Sequence, residues 1–193
     1  MRARALLAAV AVVGLLATGC GATGTTTTTG TPHHDMSGMN MNMNTSADKG
    51  PSGTASMICG REIRTAVKRT FALPHSPQAV PGWSKADRIF SCSYRLPRGS
   101  LVMSVQDSLD KPQGRLYFDA LRHRLPGATA IRGMENFGFP AFRTATGNVV
   151  FLKDGKTLHV DASAVARRLL PPGFSRADVA YSVASAVIAC WKE

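Results

Sequence analysis

Residues 57–193 switch repeatedly between two hydrophobic periods, and the order of those switches restricts the architecture more than any other feature of the chain. In 88–96, Phe90, Cys92, Tyr94 and Leu96 alternate with Ser91, Ser93 and Arg95. A period of two belongs to a strand with one buried face, so Cys92 is expected to point into the core. Upstream, in 58–71, Cys59, Ile63, Ala66, Val67 and Thr70 recur at helical spacing, with Arg61, Arg64, Lys68 and Arg69 on the remaining face. This predicts one amphipathic helix, ended by Pro74. The stretch between them, punctuated by Pro77, Pro81 and Gly82 before Trp83, reads as a loop.

The same reading continues downstream. Pro97-Arg98-Gly99 turns the chain into a hairpin partner at 101–106. Asp110 caps a second helix, with Pro112 in its first turn and Gln113 placed like a capping-box partner. Its expected inner stripe is Leu116, Tyr117, Ala120, Leu121 and Leu125, and Pro126-Gly127 stops it. Strands are expected at 128–133, 140–145, 148–153 and 156–162. Asp154-Gly155 is the strongest hairpin signal, because both central positions of that turn need positive φ. Ser175 with Asp178 reads as a capping box for a last helix that buries Ala180, Val183, Ala184, Val187, Ile188 and Trp191. The order α-ββ-α-ββββ-α lacks repeated βαβ units. It predicts an α+β domain, an antiparallel sheet packed against about three helices lying on one face.

The chain before this domain has a different composition. Arg2 and Arg4 precede an apolar run of 13 residues from Ala5 to Ala17, followed by Thr18, Gly19 and Cys20. The run has the length of a signal-peptide core and is short of the ~20 residues a spanning helix needs. Small residues leading to a cysteine resemble the signal of bacterial lipoproteins, although Ala17 stands where that family prefers leucine and Leu16 lies one earlier. The resemblance implies removal of residues 1–19 and attachment of diacylglycerol and further acyl chains (palmitate among them) to the Cys20 sulfur. The domain would then be held on the outer face of the cell membrane. Two or more chains anchor durably, where one does not. The alternative is an ordinary secretory signal cut near Ala17 with an incidental cysteine.

Residues 20–56 read as the lipidated cysteine plus a tether. Five consecutive threonines, Thr25 to Thr29, and the Gly/Pro/Ser stretch 50–54 offer no apolar periodicity. Such a segment of 36 residues after Cys20 is expected to stay disordered and to span ~30–35 Å. Within it His33, His34, Met36, Met39, Met41 and Met43 combine two imidazoles with four thioethers. Soft thioethers select Cu(I), and imidazole also holds Cu(II). The stretch resembles the Met/His-rich segments of bacterial copper-handling proteins, which implies copper as a ligand. The competing readings are a plain linker and an oxidant scavenger acting through methionine sulfoxide.

Charge and cysteines complete the picture. The whole chain carries +11, and from Met57 onward twenty basic residues face ten acidic ones. That surface favours anionic lipid headgroups, wall polymers or an acidic envelope protein, and export argues against nucleic acid. Besides Cys20 there are Cys59, Cys92 and Cys190. An oxidising exterior permits one bridge, read here as Cys59–Cys92, with Cys190 as the alternative partner of Cys59. No Gly-x-Ser-x-Gly, His-Glu-x-x-His or phosphate-loop motif occurs. His159 and Asp161 share a strand face with Thr157, expected as a solvated polar face. His75 and His123 read as surface residues, and Arg122, His123 and Arg124 as a solvated helix flank or a headgroup contact.

A cysteine-opened helix, the Cys92-Ser93-Tyr94 strand, Tyr117-Phe118-Asp119-Ala120 and the Asp154-Gly155 hairpin together resemble small exported actinobacterial lipoprotein domains of unknown function. The resemblance carries over no catalytic residue. The expectation is a membrane-anchored envelope lipoprotein whose domain binds without catalysis, its ligand not specified by the sequence. The alternative is a copper-binding or copper-buffering lipoprotein that uses the tether.

Overall fold

The computed structural model describes residues 50–191. The chain enters through a short helix α1 (Gly53–Ser56), capped by the Ser52 hydroxyl, which accepts from the Ala55 amide. A 3-10 turn (Met57–Cys59) follows, and then helix α2 (Arg61–Thr70). The single helix expected over 58–71 is therefore broken at Gly60, whose extended backbone caps α2. It ends at Thr70, before Pro74, because Ala72 turns into positive φ. The folded domain also takes in Ser52–Ser56, which the sequence assigned to the tether; Ala55 is fully buried there.

Strands β1 (Gln78–Ser84), β2 (Ile89–Arg95) and β3 (Ser100–Gln106) form an antiparallel meander. Helix α3 (Lys111–Arg124) then carries the chain to β4 (Thr129–Ala130), β5 (Ala141–Arg143), β6 (Asn148–Lys153) and β7 (Lys156–Asp161), a second antiparallel meander. Strand β7 pairs antiparallel with β3, giving one seven-stranded sheet in the order β1-β2-β3-β7-β6-β5-β4. Helix α4 (Arg176–Cys190) closes the domain, and its Ser175–Asp178 capping box is present in both directions. The fold is α+β with one antiparallel sheet, as the order of periods predicts.

The stretch read as a loop before Trp83 is strand β1. It lies at a sheet edge, with Pro81 opposite Cys92. An edge strand tolerates proline because only one of its sides must supply ladder donors.

The helices do not share one face. Alternation sends Leu101, Met103, Val149, Phe151, Leu158 and Val160 to a large core beneath α2 and α4. Val150 and Phe142 point the other way, against Phe118 and Leu121 of α3. Phe118 and Phe142 meet edge to face with ring centroids 5.2 Å apart. Helix α3 is also rotated from its expected phase: Leu116 and Ala120 are exposed, whereas Gly114, Phe118 and Leu121 are buried. The cause is a close backbone approach. A Cβ at Gly114 would lie 1.7 Å from the Gly155 carbonyl oxygen, so only glycine lets α3 cross the β6–β7 turn. That turn has Asp154 and Gly155 both at positive φ, as its hairpin signal requires.

Candidate functional site

The expected bridge is in place. Cys59 and Cys92 form a disulfide with Cα atoms 5.5 Å apart, fastening the 3-10 turn to the centre of β2. Cys190, the alternative partner of Cys59, instead lies in the last turn of α4 and is itself disulfide-bonded, so the single bridge expected from the sequence is an undercount. A second staple sits beside the bridge: the buried Tyr94 hydroxyl donates to the Ile58 carbonyl at 2.5 Å. Burial, partly offset by the nearby Arg64 charge, pushes the Tyr94 phenol well above its usual range. Its proton therefore stays in that bond.

Cys20 and the copper candidates His33, His34, Met36, Met39, Met41 and Met43 lie outside the described residues. Among the described residues, no group of three or more His, Cys, Asp or Glu side chains is arranged to hold a metal ion. No helix among them is long and apolar enough to cross a membrane. His75 and His123 are exposed, as expected. Arg122 and His123 line an open groove of about 610 Å³ at the carboxyl end of α3, with Pro126, Gly127 and Ala128 opposite. Cations there complement the helix dipole.

The strand face carrying Thr157, His159 and Asp161 is not simply solvated, because α3 covers part of it. Thr157 is buried, and its hydroxyl donates to the Gly114 carbonyl at 3.3 Å. His159 is half-buried, and its hydrogen-bond partner is Asn148 rather than Thr157 or Asp161: its Nε2 lies 2.8 Å from Asn148 Oδ1. Asn148 Nδ2 donates to Thr144 Oγ1 and Thr146 Oγ1 at 3.2 and 3.1 Å. With Nδ2 turned to the two hydroxyls, Oδ1 is the acceptor that faces His159, the arrangement that suits the neutral tautomer protonated on Nε2. Burial lowers the His159 pKa, as does Arg124, against an opposing pull from Asp161. Asp161 itself accepts from the Ser163 amide at 2.8 Å. The result is a hydrogen-bonded polar cluster on the sheet, tied to α3 through Thr157 and holding His159 in its neutral form.

The sequence did not single out a buried charge cluster that the fold assembles. Asp107, only 1% exposed, sits just after β3 and collects donors from three distant segments. The Ser52 amide donates to Oδ2 at 2.7 Å and the Ser52 hydroxyl to Oδ1 at 3.0 Å. The Lys156 ammonium donates to Oδ1, and the Arg88 guanidinium stands 3.9 Å from Oδ2. Arg88 Nε also donates to the Asp107 carbonyl at 2.8 Å. Burial by itself raises the Asp107 pKa; the hydrogen bonds from Lys156 and Ser52 outweigh it and hold the carboxyl below its usual value. Both oxygens are engaged by donors at a buried position. Such a group suits fastening better than proton transfer: it locks the amino-terminal segment to the ends of β2, β3 and β7.

The signal for this knot is absent from local sequence, since residues 52, 88, 107 and 156 meet only in the folded chain. Comparison of the chain with protein-family models, with characterised proteins and with solved structures finds no match.

Proposed function

We propose that this chain is an exported lipoprotein, anchored through acyl chains on Cys20, whose α+β domain is a non-catalytic binding module at the outer face of the cell membrane. The observation that carries the reading is the apolar run Ala5 to Ala17 leading through Thr18 and Gly19 to Cys20. Two features support it. The Cys59–Cys92 disulfide fits an oxidising compartment. The excess of twenty basic over ten acidic residues from Met57 onward suits an anionic envelope surface. Its ionisable knot at Asp107 is spent on structure.

The test is mass spectrometry of the amino-terminal peptide from membrane-fraction protein. A thioether-linked diacylglycerol on Cys20 is expected. One sulfur cannot both carry lipid and bridge to another cysteine, so an unmodified Cys20 thiol or a Cys20–Cys190 disulfide in the mature protein would overturn the proposal.

A second reading, copper binding by the tether, rests on His33, His34, Met36, Met39, Met41 and Met43. A peptide of residues 30–50 is expected to compete with a weak Cu(I) chelator. Absence of competition removes that reading and leaves the anchor untouched.

A further inference from the structure

Exposed large apolar side chains are few in the described domain, and three of them gather around one tyrosine. Met134 is 95% exposed, Phe137 46% and Phe174 47%. Met134 and Phe137 flank Glu135, whose carbonyl accepts from the Tyr181 hydroxyl at 2.8 Å. Phe174 and Tyr181 line a shallow open groove of about 350 Å³. The Phe137 ring stands 6.1 Å from Phe151, which in turn stands 6.4 Å from Tyr181. The two loops that carry the exposed rings therefore both reach Tyr181 of α4.

Two observations mark this patch as more than scattered surface carbon. Phe137 is held half exposed on a backbone at φ 54, the left-handed region that bulky residues rarely adopt. Strain of this kind persists where surrounding structure enforces it. The flanking segments are also basic. Residues 132–143 and 167–178 hold Arg132, Arg143, Arg167, Arg168 and Arg176 against Glu135 and Asp178. All but Arg176 of these arginines are exposed. Exposed aromatic and thioether groups carried on segments rich in exposed arginine match a bilayer interface bearing anionic headgroups, where apolar tips enter the acyl boundary and cations meet phosphate.

We propose that Met134, Phe137 and Phe174, with the exposed arginines of the segments that carry them, form a membrane-docking surface for anionic phospholipid. The choice of a bilayer as partner rests on the anchored-lipoprotein reading, because a tether from Cys20 keeps the domain within a few nanometres of one. Docking would fix the orientation of the tethered domain and leave the Arg122–His123 groove and the β1 edge to other contacts.

The experiment is vesicle co-sedimentation of the unlipidated chain, residues 21–193, which retains every described element and the disulfide. Vesicles are either phosphatidylcholine alone or an equal mixture with phosphatidylglycerol. Binding is expected only to the anionic mixture and is expected to weaken as salt is raised. The triple variant Met134→Ser/Phe137→Ser/Phe174→Ser is expected to bind at least about tenfold more weakly. Met134→Ser/Phe174→Ser, which keeps the Phe137–Phe151 contact, is expected to lose most of that affinity with an unchanged unfolding midpoint. Leu116→Ser, an exposed apolar residue on α3, serves as the control that retains binding. Equal binding by wild type and the double variant overturns the proposal. So does absence of wild-type binding to anionic vesicles, or wild-type dimerisation that the double variant abolishes. None of these outcomes depends on Cys20. Failure here with a lipidated Cys20 removes the docking surface alone, and docking with an unlipidated Cys20 removes the anchor alone.

Discussion

Replacing Asp107 by asparagine tests the claim that a buried carboxylate ties the amino-terminal segment to the sheet. The side chain is 2% exposed, and every group facing it is a donor: the Ser52 amide and hydroxyl, Lys156 and Arg88. Asparagine keeps the shape but turns one acceptor oxygen into an NH2 group. Whichever way the amide lies, a donor then faces a donor, and the Lys156 and Arg88 cations lose their counter-charge. Removing one partner of a buried pair costs about 3–5 kcal/mol. Lys156 and Arg88 keep partial access to water, with side chains 21% and 22% exposed, which places the expected loss at the lower end, about 3 kcal/mol. For a domain of this size that is a fall of roughly 10 °C in unfolding midpoint.

The assay is urea or thermal unfolding of both proteins, with limited proteolysis between residues 50 and 57. The variant is expected to be cleaved there first, since Ser52 loses one of its two bonds to the side chain at 107. The pH dependence has a fixed sign. The Asp107 pKa is lower folded than unfolded, so its contribution is full above the unfolded value of 3.8 and is lost as pH falls through the lower folded one. The difference between wild type and Asp107→Asn should therefore be flat from neutral pH down to about 5 and shrink below about 4. A loss under about 1 kcal/mol, the range of a surface pair, would refute the reasoning, as would equal protection of residues 50–57.

Three further outcomes follow from the same geometry. His159 is depressed by burial, so stability should fall as pH drops from about 7 through its folded pKa; in His159→Gln that slope should flatten in a pH series of unfolding midpoints. Gly114→Ala should destabilise by about 3 kcal/mol or more, because its Cβ would stand 1.7 Å from the Gly155 oxygen and push α3 off the β6–β7 turn; denaturant unfolding checks it. Removing the disulfide with Cys59→Ala/Cys92→Ala, across a separation of 33 residues, should lower stability by roughly 3–4 kcal/mol on the chain-entropy account, and a loss near zero would place the restraint in the Tyr94–Ile58 bond instead.

The sequence by itself determined the elements whose information is local. The alternation of Phe90, Cys92 and Tyr94 set the buried face of β2, and both turn residues of Asp154-Gly155 set the last hairpin. Ser175 with Asp178 set the start of α4, whose stripe from Ala180 to Trp191 is buried throughout. These signals need only neighbours along the chain to take effect. The sequence left Cys59 two partners, Cys92 and Cys190, and the fold pairs it with Cys92. Strand β1 was hidden because Pro81 and Gly82 mark a loop unless the strand is known to lie at an edge, and edge position is a property of the sheet. The phase of α3 was misjudged for a related reason. Apolar spacing nominated Leu116 and Ala120, but close approach at Gly114 turned the helix until Phe118 faced Phe142 on the second face of the sheet. The Asp107 knot lay furthest from view. Its partners at 52, 88 and 156 come from separate segments, and a lone aspartate after a strand has no meaning until burial removes its water. Which polar groups must pair, which face each helix covers and where exposed rings converge were decided by tertiary structure, because desolvation and close packing act between residues that the chain keeps far apart.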